Sequence, residues 1–376
     1  MPRYFTVCLC LGLVLSGTAA AMNGPTAISI DGGPLGNLSL SGGAAGDGYV
    51  LDNAIPGEKT TGITLGNALI QVQKTTGIVQ FTVAVGAYSS ETLGYAPAAT
   101  NYVAESPLYA GYVTIAPNAD ISISAGQLSP LVGYEASQDW SNANTYFSEV
   151  AYTEPAQGRG VEVALTQGNF SATVSLTDGY YTNVLNYVQG IGTYAADAND
   201  SVSLFGGGNL GRTGVNVPGI GNQVLDNSTL LGAFYTRTQG ALSLTPEVQV
   251  QYAAKDAARG QNGGNSAVTV ALFGDEQLGQ NSPQGSAWSV GGFVEYATQF
   301  YDKSAAYAYS PDFFGFGPGS SLYGVSITPT WQHQDLFLRA DAGYIHVHRG
   351  SGATAFGTNG DAANQVSGLL EAGVVF

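Results

Sequence analysis

The chain has 376 residues with 11 Lys and Arg against 27 Asp and Glu, a formal net charge of −16, yet only 10% of its residues are charged. That acid excess argues against binding nucleic acid or an anionic surface by charge. Past the first residues no apolar run is long enough for a transmembrane helix, so any crossing of a bilayer has to be made by strands.

Residues 1–21, "MPRYFTVCLCLGLVLSGTAAA", combine Arg3, a short apolar run and a small-residue stretch, the pattern of a secretory signal peptide cleaved after Ala21. Cys8 and Cys10 leave with it, and Phe5, Thr6 and Val7 before Cys8 do not form a lipoprotein site. A mature chain without lipid or thiols suits a Gram-negative periplasm or outer membrane. Residues 22–35 are expected as an N-terminal periplasmic segment, and 36–376 as a single β domain.

From there the apolar pattern has period two. In "IVQFTVAVGA" Val79, Phe81, Val83 and Val85 share a face; in "FSATVSLTDG" Phe170, Ala172, Val174 and Leu176 do. Trp288, Val290, Gly292, Val294 and Tyr296 repeat the pattern, as do Leu336, Leu338, Ala340, Ala342 and Tyr344. Strands are predicted at 36–45, 63–73, 78–87, 107–115, 121–127, 160–166, 170–178, 229–237, 241–253, 287–299, 304–310, 322–331, 336–347 and 364–376. That makes about 14 strands, or 16 if the stretch 179–228 holds another hairpin. Short polar turns ("KTTG", "PNAD", "QGN", "TQG", "QHQD" and one at Asp302–Lys303) join strands at one end, and long Gly/Asn/Ser-rich segments join them at the other. This asymmetry is that of an all-β, antiparallel outer-membrane barrel with short periplasmic turns and long extracellular loops. Tyr88, Tyr296 and Tyr344 fall where interfacial aromatic girdles sit.

Backbone groups in lipid must all be paired, which forces closure of the sheet. The final "LLEAGVVF" then reads as the closing strand, with Glu371 toward the lumen and Phe376 at the periplasmic edge as a signal for the barrel-assembly machinery. The parity opposite the lipid face carries Glu162, Glu247, Glu295, Arg339, Asp341 and Glu371, with Gln249 and Gln251. A charge on the lipid face costs roughly 2–4 kcal/mol for a basic residue near the midplane. The lumen wall is therefore expected to be polar and mainly acidic, a field that favours cations.

The segment 126–165 carries a resemblance to a known family. Gly126–Gln127, Gly133 with Glu135, Trp140 with Asn142 and Asn144, Tyr146–Phe147–Ser148, Pro155 and Gly160–Val161 follow its pattern. The chain resembles the putative β-barrel porin-2 (OmpL-like) family, over most of its mature length. The resemblance implies an outer-membrane pore for small hydrophilic solutes or ions, set in outer-membrane lipid and lipopolysaccharide, without a cofactor. It also makes a homo-oligomer an expectation, although no strand face shows an apolar pattern marking a subunit interface. Two positions depart from the family: Glu149 stands where a basic residue is common, and Gln157–Arg159 replaces a His-containing step, so no ion preference carries over.

Residues 128–159 are too long for a tight turn. Folded into the lumen they form a constriction with Glu135, Asp139, Glu149, Glu154 and Arg159 near its narrowest point; turned outward they form a loop facing lipopolysaccharide. "GGGNLGRT" at 206–213 approaches P-loop spacing but has Arg212 in place of the lysine and no following helix, and reads as a flexible surface loop. His346 and His348, two apart on one strand, share the lipid-facing parity near the outer rim, without a third metal ligand nearby. They are read as rim residues, with contact to lipopolysaccharide phosphates as an alternative. His333 lies in a periplasmic turn. The competing functions are a non-conducting or secreted β-rich adhesion protein and a barrel lipase or protease. The enzyme reading has only His346 and His348 by position, and no nucleophile signature.

Overall fold

The computed structural model describes residues 22, 24, 26–89, 91–97, 107–180, 182–211, 224–278, 287–307, 310–350 and 352–376; the expected signal segment lies outside them. The strands are β1 (Ile28–Asp31), β2 (Asn37–Leu51), β3 (Thr61–Lys74), β4 (Val79–Tyr88), β5 (Leu108–Ile115), β6 (Ile121–Leu128), β7 (Gly158–Gln167), β8 (Phe170–Thr177) and β9 (Tyr187–Ala195). They continue with β10 (Asp200–Asn209), β11 (Ser228–Gln239), β12 (Leu242–Ala253), β13 (Asn265–Gln277), β14 (Trp288–Tyr301), β15 (Ser321–His333), β16 (Leu336–His348) and β17 (Asn364–Val375). Every neighbouring pair from β2 to β17 is antiparallel, and β17 returns to β2 in the register Val375↔Gly43 to Ser367↔Leu51. The ring of sixteen strands is thus closed. Phe376 and Gly42 exchange both backbone hydrogen bonds across the seam, at 2.8 and 2.9 Å. Below the seam β1 pairs with Asn37–Leu40 of β2, so part of the stretch expected as an N-terminal periplasmic segment forms a hairpin on the barrel's first strand.

Closure lets the sequence alternate. In β12 the side chains of Leu242, Leu244, Val248, Val250 and Tyr252 face outward, while Ser243, Thr245, Glu247, Gln249 and Gln251 are buried inside. An outward apolar wall and an inward polar wall are what lipid on one side and water or protein on the other require. Aromatics collect at both ends of the outer face: Phe170, Tyr194, Tyr235 and Trp288 toward the short turns, Tyr252, Tyr296, Phe300 and Tyr323 toward the long loops. Tyr88, expected in this girdle, points the other way. It is buried inside, edge-on to Tyr109 at 4.7 Å, with its hydroxyl on Gln157 Oε1 (2.9 Å). It lies three residues past Val85, on the parity of Thr82 and Ala84, so the alternation of β4 itself turns it inward.

The predicted hairpin within 179–228 is β9–β10, which takes in Gly206–Asn209; that part of "GGGNLGRT" is strand rather than flexible loop, and Arg212 and Thr213 lie outside the described residues. β13 was not anticipated, and no strand lies among the described residues of the expected 304–310. There Asp302 Oδ1 accepts from Ser304 N and Oγ (2.9 and 2.6 Å) to make a turn, and Tyr307 forms only an isolated bridge with Gln261. Asp302–Lys303 consequently sits at the long-loop end, after the upward strand β14. A further short turn spans 196–199.

One glycine fixes where the barrel wall gives way to the long loop after β6. Gly126 has φ +143, and a Cβ there would lie 2.1 Å from the Gly111 carbonyl oxygen of β5. Gly126→Ala must move a sheet backbone, and we expect it to lower folding stability by about 1–3 kcal/mol. Gly46→Ala, whose Cβ meets nothing nearer than the Thr64 carbonyl oxygen at 3.6 Å, should leave stability close to wild type. Urea midpoints of the refolded barrels in detergent compare the two.

Candidate functional site

The loop between β6 and β7, residues 129–157, turns into the barrel and is tied to the inner wall along most of its length. It contains a 3-10 turn, Asp139–Ser141, and one short helix, α1 (Glu149–Tyr152). Its entrance places Leu131 N on Gln189 Oε1 of β9 (3.3 Å) and Tyr134 against Phe234 of β11 and Phe273 of β13, with ring centroids 5.6 and 4.9 Å apart. Further along, Asn67 of β3 donates to Asp139 Oδ1, and Arg339 of β16 donates to the carbonyls of Asp139 and Asn142 (both 3.1 Å). Asn144 donates to Ser326 Oγ and Thr328 Oγ1 of β15 (3.1 and 3.2 Å).

Two wall carboxylates hold the loop's backbone. Asp341 Oδ2 accepts from Thr145 N and Tyr146 N (3.2 and 3.1 Å), and Ser326 and Thr328 hydroxyls donate to the same side chain (2.7 and 2.6 Å). Glu295 Oε2 accepts from Glu149 N at the start of α1 (2.6 Å). Backbone N–H groups that would otherwise be orphaned at a helix start thus find an acceptor in the wall. The return limb is fixed by Gln249 and Gln251 of β12, whose amides donate to Thr153 Oγ1 (3.0 Å) and Thr153 O (2.7 Å). The loop also packs on a second inward segment: Phe147 N donates to Glu91 O (2.8 Å) and Leu93 N to Phe147 O (3.1 Å).

Of the residues expected at a narrowest point, four are on this loop and none is freely exposed. Asp139 and Glu149 are fully buried. Glu135 accepts from Ser148 N (3.2 Å) and from the Ser148 hydroxyl, bracing the loop against itself. Burial pushes the Glu135 carboxyl up to about 7 and that of Glu149 well above the usual carboxylate range. Burial raises Glu154 as well, with the charges of Glu247 and Glu135 adding to it. Asp139 is raised by burial and held back by the Arg339 guanidinium. Arg159 has to be corrected. It stands on the outward parity of β7, 46% exposed, with Nε donating to Asp178 Oδ2 (2.8 Å), because Gly158 and Gly160 take the inward positions.

The wall residues named from parity, Glu162, Glu247, Glu295, Arg339, Asp341 and Glu371, all point inward. Sequence reasoning missed Asp47 and Asp275, which lie on the inward parity of β2 and β13. The predicted first strand stopped at Ala45. β13 reads as an apolar run broken only by Thr269, "AVTVALF", because Ala267, Ala271 and Phe273 fill inward positions. Arg339 and Glu371 pair at 3.3 Å with both side chains fully buried, and Asp47 and Asp139 lie within electrostatic reach of them. Both carboxylate oxygens of Asp47 and of Glu149 are without a hydrogen-bond partner among the described residues. Among those residues no group of three His, Cys, Asp or Glu is arranged to hold a metal ion.

The charges are distributed unevenly around the ring. Asp47, Glu247, Asp275, Glu295, Arg339, Asp341 and Glu371 all stand on β12–β17 and β2, largely the sector the loop covers. On the inward parity of β3–β10 Glu162 is the one charged side chain among the described residues, and it is partly exposed. Its neighbours there are short or neutral: Ser124 and Ser175 face it across the β6–β7 and β7–β8 ladders.

A closed barrel of sixteen antiparallel strands, apolar outside, defines an outer-membrane porin as the class. Residues 41–376 match the family model described as "Putative beta-barrel porin-2, OmpL-like", and the chain belongs to that family. Several solved structures share its fold. The anion-selective porin from Comamonas acidovorans superposes with a TM-score of 0.60 at 11% identity, over 90% of this chain and 99% of that one. OmpT of Vibrio cholerae, folded in vitro, gives 0.58 at 11%, covering 91% and 98%. OmpF of Salmonella typhi in complex with daunomycin gives 0.55 at 10%, covering 93% and 100%. No curated protein sequence matches the chain.

Proposed function

We propose that this porin passes small hydrophilic solutes and inorganic ions by passive diffusion, with a bias toward cations, and that it makes or breaks no bond. The observation carrying the bias is the placement of Glu162. The other wall acids lie in the sector where the inward loop is tied down, whereas Glu162 is partly exposed on a wall otherwise free of inward charge. A single carboxylate beside a narrow, low-dielectric water path sets a negative field that no nearby cation cancels. On this reading Glu135, Asp139, Glu149 and Glu154 hold the loop in place, and Glu162 is the residue a passing ion meets.

The test is the reversal potential of single channels under a salt gradient. Glu162→Gln should shift it toward the unselective value, while Glu135→Gln should leave it near wild type. An unchanged reversal potential in Glu162→Gln, with channels of normal conductance, would sink the proposal. A second reading, a barrel that does not conduct at rest, is favoured by how deeply inward side chains are covered: Ser203, Thr328, Arg339 and Glu371 are each 0% exposed. Absence of conductance steps from demonstrably folded protein would favour it.

A further inference from the structure

We propose that the outer end of β16, with the loop that follows it, binds the phosphate of a lipid headgroup in the outer leaflet. His346, His348 and Arg349 line a cleft of about 470 Å³ there, together with Gly350, Ala353 and Asp361. These three basic side chains lie within four consecutive residues of a chain with 11 Lys and Arg and 3 His in all. The inward loop and the pore wall use none of them.

Position points to a lipid. His346 and His348 continue the outward parity of β16, above Tyr344, and so project where the hydrocarbon ends and headgroups begin. Tyr323 and Tyr344, adjacent on β15 and β16 with rings 6.3 Å apart, mark that level on the same face.

The groups are also held in place before any ligand arrives. The His346 ring stacks on Tyr323 at 4.9 Å and 23°, and its Nδ1 lies 2.6 Å from Asn364 Oδ1. The Tyr344 hydroxyl donates to the same oxygen at 2.8 Å, so the ring is fixed at one edge and Nε2 remains as its other polar atom. Arg349 Nη1 donates to the Gly360 carbonyl (2.8 Å), which anchors the guanidinium to the cleft's own loop. A guanidinium with one nitrogen anchored still presents its fork to a phosphate. His348 is exposed at the rim. Asp361 is the single carboxylate lining the cleft, and it biases an anion toward the His346–His348–Arg349 side.

The test uses the whole barrel in mixed micelles. Binding of a diphosphorylated lipid A is compared with that of the same lipid dephosphorylated and with inorganic phosphate alone. Wild type should bind the phosphorylated lipid at least about tenfold more tightly than the dephosphorylated one. His348→Gln/Arg349→Gln should remove that preference while keeping the heat-modifiable gel shift and the single-channel conductance of wild type. His346→Asn is a second variant, confined to the stacked ring, and should lose part of the preference. Equal affinity of wild type and the double variant for the phosphorylated lipid would overturn the proposal. Tight binding of inorganic phosphate without preference for the phosphorylated lipid would overturn the lipid source, showing a site for free phosphate.

Discussion

Replacing Arg339 with methionine while keeping Glu371 is expected to cost about 3–5 kcal/mol of folding stability, the loss seen when one half of a buried ion pair is removed. Arg339 is fully buried, paired to an equally buried Glu371 at 3.3 Å, with Asp47 and Asp139 close by. It is the one cation on the inward parity among the described residues, so its loss leaves several carboxylates facing one another with nothing opposite in sign. Two of its nitrogens also carry the loop, through the Asp139 and Asn142 carbonyls, so the loss is not confined to the wall. The same variant should therefore show noisier channels as well as a lower urea midpoint. Arg339→Met/Glu371→Leu removes both charges and should recover much of the stability, since a well-packed apolar pair often replaces a buried ion pair at little cost. A midpoint for Arg339→Met within 0.5 kcal/mol of wild type, the range of an ordinary surface substitution, would contradict this account.

How much of this was legible in the sequence depends on how sharply each segment alternates. β12 and β16 carry Leu, Val or Tyr against Gln, Glu, Arg or Asp, so period two and the inward charges could be read directly from them. β9 and β10 carry Gly190, Gly192 and Gly206–Gly208, whose missing side chains erase the alternation, and only the length of the gap betrayed the hairpin. β13 failed for the opposite reason, since its inward face is partly apolar. One of those inward apolar residues has a use visible only in three dimensions: Phe273, with Phe234 of β11, packs Tyr134 at the root of the inward loop. The acids of 128–159 were found as residue types, but their direction was not, because a loop has no parity to fix it. They turn toward the wall and their own loop, as Ser148 on Glu135 and Asn67 on Asp139 show, and Arg159 escapes to the outer face because it belongs to β7.

Raising the pH from 5 to 8 is expected to loosen the inward loop and increase conductance. Glu149 opens α1 with its own carboxylate fully buried and neither oxygen paired among the described residues, while its backbone N–H is taken by Glu295. Burial keeps it well above the usual carboxylate range, and Glu295 from β14 and Asp312 from the loop before β15 push the same way. On the adjoining segments burial takes Glu135 to about 7 and Glu91 to about 8, the latter helped by Asp139 and Asp47. For each of these groups the docked state holds its proton more tightly than the released one. The docked loop is therefore most stable below the ordinary carboxylate value of 4.5 and loses stability as the pH climbs toward 7 and 8. Each such group contributes about 1.4 kcal/mol per pH unit across its own window. Several act on one loop, so the total competes with the hydrogen bonds that Asp341, Gln249 and Gln251 supply. Glu149→Gln keeps the shape but cannot ionise. It should leave the pH 5 channel unchanged, keep the loop docked to higher pH and flatten the rise in conductance between 5 and 8. Wild-type conductance that is the same at both values would show that ionisation of these carboxylates does not govern the loop; a rise unaffected by Glu149→Gln would assign it to the other acids.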